Sequence, residues 1–327
     1  MTDKILIAEI SGRRPGNVEQ RPTERFKSKH PMVIISNNSE GYDTHLPIID
    51  VPDDYREWYI AHIKNSDNAW YAPMNRSYAI KYARENGYRY LVQLDDNIQL
   101  LELALWEENG GRGKRYRQQF WARPGQEERT KDILDDFIEV LKTVLENTNA
   151  GMAGCQLAGT AVPEWRFLRE GYVYSFFMLD VDRIPDVFQG DFEDDIEFRL
   201  KLKQMGVPVI QIPVLRYSKV GQKQNKKEDA SGCREEYIKA GLKRGEHMGL
   251  LYGDIYSCRL VNKTNTVRVV GEGEARYFKH YIKPFKVGVV VNDMDAIQKA
   301  VRGIIEKYAS HKPDKTIRKV KKIKIAE

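Results

Sequence analysis

Apolar positions along the chain come in short runs and helical stripes punctuated by turn residues. Ile5 to Ala8 is a short apolar patch interrupted at Glu9 and reads as an N-terminal strand. Residues 11–31 are polar, with Pro15, Pro22, Pro31 and several arginines, and read as a connecting arm. Residues 32–36 form a largely β-branched run closed by Asn37-Asn38-Ser39, which predicts a buried strand and its turn. Residues 47–51 and 58–63 are further strand candidates. Residues 75–86 read as a helix stopped by Gly87. Tyr90, Leu91, Val92 and Leu94 then make an apolar strand that ends abruptly in Asp95-Asp96-Asn97.

Further on, residues 110–125 are basic, aromatic and glycine-containing, and predict a mobile loop. Ile133, Leu134, Phe137, Ile138, Leu141, Val144 and Leu145 share one helical face. Strands are expected at 152–157 and 172–179. A helix is expected over 191–204, stopped by Gly206, followed by a strand at 207–212 and a helix at 234–243. A strand at 286–291 and a helix carrying Ile297, Ala300, Val301, Ile304, Ile305 and Tyr308 close the pattern. No internal repeat is visible. Strands alternating with helices argue for an α/β fold with a mostly parallel sheet and helices on its faces. The expected divisions are 1–31 (N-terminal strand and polar arm), 32–260 (main domain), 261–311 (small accessory βα element) and 312–327 (basic tail).

Composition narrows this picture. The chain has 327 residues, 41% of them hydrophobic, enough for a sizeable core. No apolar run is long enough to span a membrane, and the start is not a secretory signal, so a cytoplasmic location is expected. Cys155, Cys233 and Cys258 lack metal-ligand spacing, and the six histidines are scattered. Net charge is +6, and its placement matters more than its size. From Lys312 to the end stand seven basic residues (Lys312, Lys315, Arg318, Lys319, Lys321, Lys322, Lys324) against Asp314 and Glu327. Smaller basic clusters lie at 112–117 and 219–227. Such segments suit a polyanion; they equally serve as solvated surface that keeps a protein soluble.

Two acidic clusters carry the candidate chemistry. In open α/β sheets, ligands bind beyond the carboxyl ends of strands. Asp95, Asp96 and Asn97 stand at such an end and offer hard oxygen ligands for Mn²⁺ or Mg²⁺, which implies a phosphate-bearing substrate. The same triplet is also an ordinary polar turn. The second cluster is Asp191, Glu193, Asp194 and Asp195. A helix N-terminus compensates part of their repulsion, and crowding splits their pKa values so that one becomes a usable base. An acidic first turn with no further role fits the same residues. Gly271 and Gly273 lack the rest of a dinucleotide fingerprint, and residues 110–114 lack Walker spacing. Tyr116, Phe120 and Trp121, beside basic residues, suit stacking on bases, a lid hinge or a packed loop equally.

Taken together, the clusters resemble the two halves of a GT-A glycosyltransferase site. Residues 32–38 are similar to the first nucleotide-binding strand. Asn75-Arg76, Gly87 and residues 91–97 resemble the run leading into the acidic metal motif. Residues 190–195 leading into 196–213 resemble the acceptor-side carboxylate, its helix and the next strand. The resemblance covers residues 32–220 and implies a GT-A-like (Rossmann-like) fold, a nucleotide-sugar donor (a UDP-sugar foremost), Mn²⁺ or Mg²⁺, and a hydroxyl acceptor. It places Asp95, Asp96 and Asn97 on the metal, Asn37, Arg76, Asp95 and Lys219 on the donor, and Asp194 as the base with Glu193 and Asp195 beside it. Arg76 fits a surface helix arginine equally well, and Lys219 a solvated lysine.

The usual motif is Asp-x-Asp; the third position here is Asn97, whose amide brings no charge. That implies weaker metal binding or a metal-independent variant. Within GT-A enzymes, residues 75–98 look most like the bacteriophage glycosyltransferases associated with TET/JBP oxygenases. That resemblance implies hydroxymethylated pyrimidines in DNA as acceptor. A protein or carbohydrate acceptor, or a non-catalytic nucleic-acid-binding protein with a degenerate fold, is the alternative.

Overall fold

The computed structural model describes residues 4–12, 14–15, 21–63, 72–109, 112–158, 167–188, 194–220, 243–261, 267–270, 275–283 and 287–309. Their elements run β1 (Ile5–Ser11), α1 (Pro22–Arg25), β2 (Met32–Ser36), β3 (Ile48–Asp50), α2 (Asp53–His62), α3 (Ala72–Glu85), β4 (Tyr90–Asp95), β5 (Ile98–Asn109) and β6 (Arg112–Phe120). Then come α4 (Glu127–Thr130), α5 (Ile133–Glu146), β7 (Met152–Leu157), β8 (Arg169–Glu170), β9 (Phe176–Asp180), α6 (Asp194–Gln204), β10 (Val209–Lys219), α7 (Lys243–Tyr252), β11 (Tyr256–Val261), β12 (Val267–Val270), β13 (Ala275–Ile282) and α8 (Met294–Ala309). The predicted helix at 234–243 falls almost wholly outside the described residues. Among them, no helix is long and apolar enough to cross a membrane.

The main sheet has the order β3-β2-β1-β4-β9-β7-β10-β5-β6, with β8 alongside β10. β3, β2, β1 and β4 are parallel neighbours, as are β7 and β10. β9 runs antiparallel between β4 and β7, and β5 antiparallel between β10 and β6. The fold is a mixed α/β architecture whose central sheet is mostly parallel and flanked by helices, consistent with a GT-A-like fold.

Both faces of the sheet are covered, so its inner strands are apolar on both sides. On one face Ile7, Val92, Leu94, Phe137, Leu141 and Ile305 share a core under α5 and α8. On the other, Leu6, Ala8, Tyr59, Ile80, Phe177 and Phe198 pack under α2, α3 and α6. The C-terminal segment divides: α8 belongs to the first core, where Tyr308 meets Phe120 edge-on at 4.9 Å. β11, β13 and β12 form a separate three-stranded sheet.

The first strand continues past the apolar patch, because buried Glu9 is held by Thr23 and by Arg21 at 3.5 Å. Burial pushes the Glu9 carboxyl up to about 8, against the lowering pull of Thr23. Residues 58–63 are helical apart from Ile63, correcting the strand reading. Asp53-Asp54 begin the first turn after Pro52, and Tyr55 and Tyr59, four apart, are buried on one face.

The expected loop at 110–125 is largely strand β6, paired with β5 from Leu101 opposite Phe120 to Asn109 opposite Arg112. Its basic residues fit an edge strand, where charge blocks pairing with other chains. The strand expected at 172–179 begins only at Phe176. The one at 286–291 reduces, among the described residues, to a bridge between Val291 and Thr148. Helix α3 ends as its sequence predicts. Gly87 adopts φ +72°, and Tyr88 N–H returns to the Ala83 carbonyl at 2.9 Å.

Candidate active site

The carboxyl ends of β1, β2, β4 and β10 and the starts of α3 and α6 supply one connected set of polar side chains. Asp95 is the last residue of β4, and its N–H donates to the Ser175 carbonyl at 3.0 Å. Arg76, on the first turns of α3, is buried beneath it. Its guanidinium donates to Asp95 Oδ1 at 2.5 Å, to Gln93 Oε1 at 3.2 Å and to Asp194 Oδ2. Gln93 in turn donates to the Arg76 carbonyl at 3.0 Å. Asp194 opens α6, whose first turn carries Asp194, Asp195 and Glu197, the signs a helix N-terminus favours. One buried arginine therefore joins the two acidic motifs.

Lys219 closes the other side of Asp95. A register shift at Ser218/Lys219 precedes the last pair of β10 with β5, Lys219 opposite Ile98, and Val220 N–H donates to the Asn97 carbonyl at 2.9 Å. The Lys219 ammonium consequently donates to Asp95 Oδ2. Asp96 turns the opposite way. It accepts from Ser11 Oγ at 2.7 Å and Arg14 Nη1 at 2.8 Å, and Ser11 also meets the Tyr42 hydroxyl at 2.9 Å. Asn75 Nδ2 bridges the Ser11 carbonyl (2.9 Å) and Asn37 Oδ1 (3.3 Å), drawing β1, β2 and α3 together. The approach at Gly12 is tight: a Cβ there would lie 2.3 Å from Asn37 Oδ1.

These neighbours set the charges. Burial pushes the Asp95 carboxyl up, but Lys219 and Arg76 outweigh it and hold it well below the usual carboxylate range. Asp195 moves the other way. Burial, then the adjacent Asp194, raise it to about 7 against the pull of Lys219 and Arg76. A half-buried carboxyl that titrates near neutrality can accept a proton at working pH.

As they stand, the residues do not fit a divalent ion. Asp95 ends β4 and Asp96 begins the turn after it, and their carboxylates meet different partners. Each already has both oxygens engaged, Asp95 by Arg76 and Lys219, Asp96 by Ser11 and Arg14. Asn97 Oδ1, in the same turn, is buried with no hydrogen-bond partner among the described residues. Among the same residues, no group of three or more His, Cys, Asp or Glu side chains is placed to share an ion.

Of the residues singled out in the sequence, Asn37, Arg76, Asp95, Asp96, Asn97, Asp194 and Lys219 meet in this network, with Asp195 next to Asp194. Glu193 and Asp191 lie outside the described residues. Arg76 faces inward to the carboxylates. Ser11, Arg14, Tyr42 and Gln93 were not anticipated. Ser11 was within reach of inspection, since Ile10 continues the apolar alternation of the first strand up to it. Arg14 and Tyr42 carry no local signal.

No curated protein matches the chain. The family model of the TET-Associated Glycosyltransferases matches residues 20–231, more than half of it, including β4, α6 and β10. The chain belongs to the TET-associated glycosyltransferase family.

Proposed function

We propose that the protein transfers a sugar from a nucleotide-sugar to a hydroxyl acceptor, a hydroxymethylated pyrimidine base in DNA. The observation carrying the reading is Arg76, which ties donor-side Asp95 and acceptor-side Asp194 into one buried cluster at the strand ends. The glycosidic C1–O bond to the diphosphate breaks with its electron pair on the leaving oxygen. The acceptor oxygen forms the new bond to C1, through an oxocarbenium-like state. Its proton passes to a carboxylate. Asp194 is committed to Arg76, so Asp195, poised near neutrality, takes the proton. The DNA acceptor draws on the family membership and the basic segment from Lys312.

The test offers a panel of nucleotide-sugars with duplexes containing or lacking hydroxymethyl bases, followed by mass analysis of the digested DNA. Sugar addition confined to hydroxymethylated duplex is expected, slowed roughly 10²–10⁴-fold in Asp195→Asn. Absence of both transfer and donor hydrolysis across the panel would refute the reading. Transfer to a protein or glycan instead would refute only the acceptor.

A further inference from the structure

We propose that Lys219 and Arg14, not a divalent ion, take up the charge of the donor's diphosphate. This inference rests on the donor reading above and concerns the same site. Asp95 and Asp96 look like an ion-binding pair in sequence, yet each already faces a cation, on opposite sides of the β4 end. Within the network Asp95 meets both Arg76 and Lys219, Asp194 shares Arg76, Asp96 has Arg14, and Asp195 lies beside them. A divalent ion reaching Asp95 would be set against both the Lys219 ammonium and the Arg76 guanidinium. The third residue of the motif, Asn97, would offer it only a neutral amide oxygen. Both cations that hold Asp95 are covalently part of the fold, so they are present whether or not an ion is supplied.

The cations also differ in reach. The Lys219 and Arg14 side chains are 29% and 23% exposed, whereas Arg76 is 4% exposed and directs its charge at protein carboxylates. Lys219 stands at the irregular end of β10 and Arg14 just beyond β1, so they flank the β4 end from two sides. The two carboxylates hold the cations in place without ligand. A diphosphate entering between them exchanges its oxygens for the carboxylate oxygens. When the C1–O bond breaks and its electron pair moves onto the terminal phosphate oxygen, that charge meets the Lys219 ammonium. The acceptor oxygen completes the bond to C1 and its proton goes to Asp195. Arg76 stays paired with Asp95 and Asp194 throughout.

The experiment is calorimetric binding of UDP, GDP, ADP and dTDP to the full-length, chelator-treated protein, repeated with Mn²⁺ restored. At least one diphosphate is expected to bind the chelated protein, with its Kd changed less than about threefold by Mn²⁺. Lys219→Met should weaken that binding about tenfold or more, as expected for losing a charge-assisted bond, while Lys219→Arg restores most of it. The wild-type comparison needs no variant, so a poorly folding substitution does not spoil it. Binding that appears only with Mn²⁺ overturns this proposal and leaves the donor reading intact. Wild-type affinity in Lys219→Met at an unchanged melting temperature also overturns it. If no diphosphate binds under either condition, the donor reading falls and this proposal with it.

Discussion

Replacing Arg76 by methionine isolates what holds the two acidic motifs together. Methionine keeps most of the apolar volume on α3 and removes only the guanidinium. That group is buried and donates to Asp95, Asp194 and Gln93. Deleting one partner of a buried ion pair costs about 3–5 kcal/mol, because the other partner stays desolvated without its counter-charge. Two features argue for the lower end. Asp95 keeps Lys219, and the Asp95 and Asp194 side chains retain 20% and 13% exposure. A loss of about 3 kcal/mol at pH 7 is therefore expected, large against a typical total of about 5–15 kcal/mol.

The loss should depend on pH in a definite direction. The folded-state pKa of Asp95 is depressed, so its contribution is fully present above the unfolded carboxyl value of about 3.9 and fades as pH falls below it. The gap between wild type and Arg76→Met should hold steady from neutrality down to about pH 4 and narrow below it. Urea unfolding of both proteins from pH 8 down to about pH 2 measures it. A gap under about 1 kcal/mol at pH 7, or one independent of pH, would refute the clamp.

The other predictions concern individual groups in and beside the site. If Asp195 is the base, kcat/KM should rise with pH through about 7 and that limb should vanish in Asp195→Asn; an unchanged limb would assign the proton elsewhere. Because its folded pKa is raised, Asp195 lowers native stability as pH climbs from the unfolded carboxyl value to about 7, so Asp195→Asn should melt higher than wild type above pH 7 and an equal or lower melting temperature would count against its burial. Gly12→Ala forces a Cβ to 2.3 Å from Asn37 Oδ1 and should cost about 1–3 kcal/mol, so unaltered urea stability would contradict the close approach. Removing residues 312–327 should flatten the plot of log DNA affinity against log salt by about one unit for each DNA phosphate the tail neutralises, with donor hydrolysis unchanged. A chain whose DNA binding is insensitive to salt would dismiss the tail as an anchor.

Much of the fold was legible because local and global signals agreed. The run into Asp95, the amphipathic helix α5 and the helix stop at Gly87 each carry a period or a backbone requirement that one conformation satisfies. The misreadings arose where that agreement broke. Trp58 to Ile63 looked like a strand because its aromatic and branched residues favour one, yet Tyr55 and Tyr59 bury a helical face. Residues 112–120 looked like a loop because strong charge masks strand alternation at a sheet edge. Glu9 broke an apolar run that the fold nevertheless continues, since its partners Thr23 and Arg21 come from a segment that reads only as polar arm.

The site was legible in its residues and not in their pairing, for a reason inherent to strand ends. A sequence shows Asp95 and Asp96 as neighbours and invites a shared ligand. The strand ends at Asp95 and the chain turns at Asp96, so each finds a different cation: Lys219 from a strand more than a hundred residues later, Arg14 from a loop some eighty residues earlier. Neither distance is encoded nearby. Strand alternation puts Asp95 and Gln93 on one side, which is why Arg76 reaches both and, at the start of α6, Asp194 as well. An acidic pair at a strand end is therefore better read as two separate half-sites. What each half-site does follows from the cation opposite it, Lys219 for Asp95 and Arg14 for Asp96.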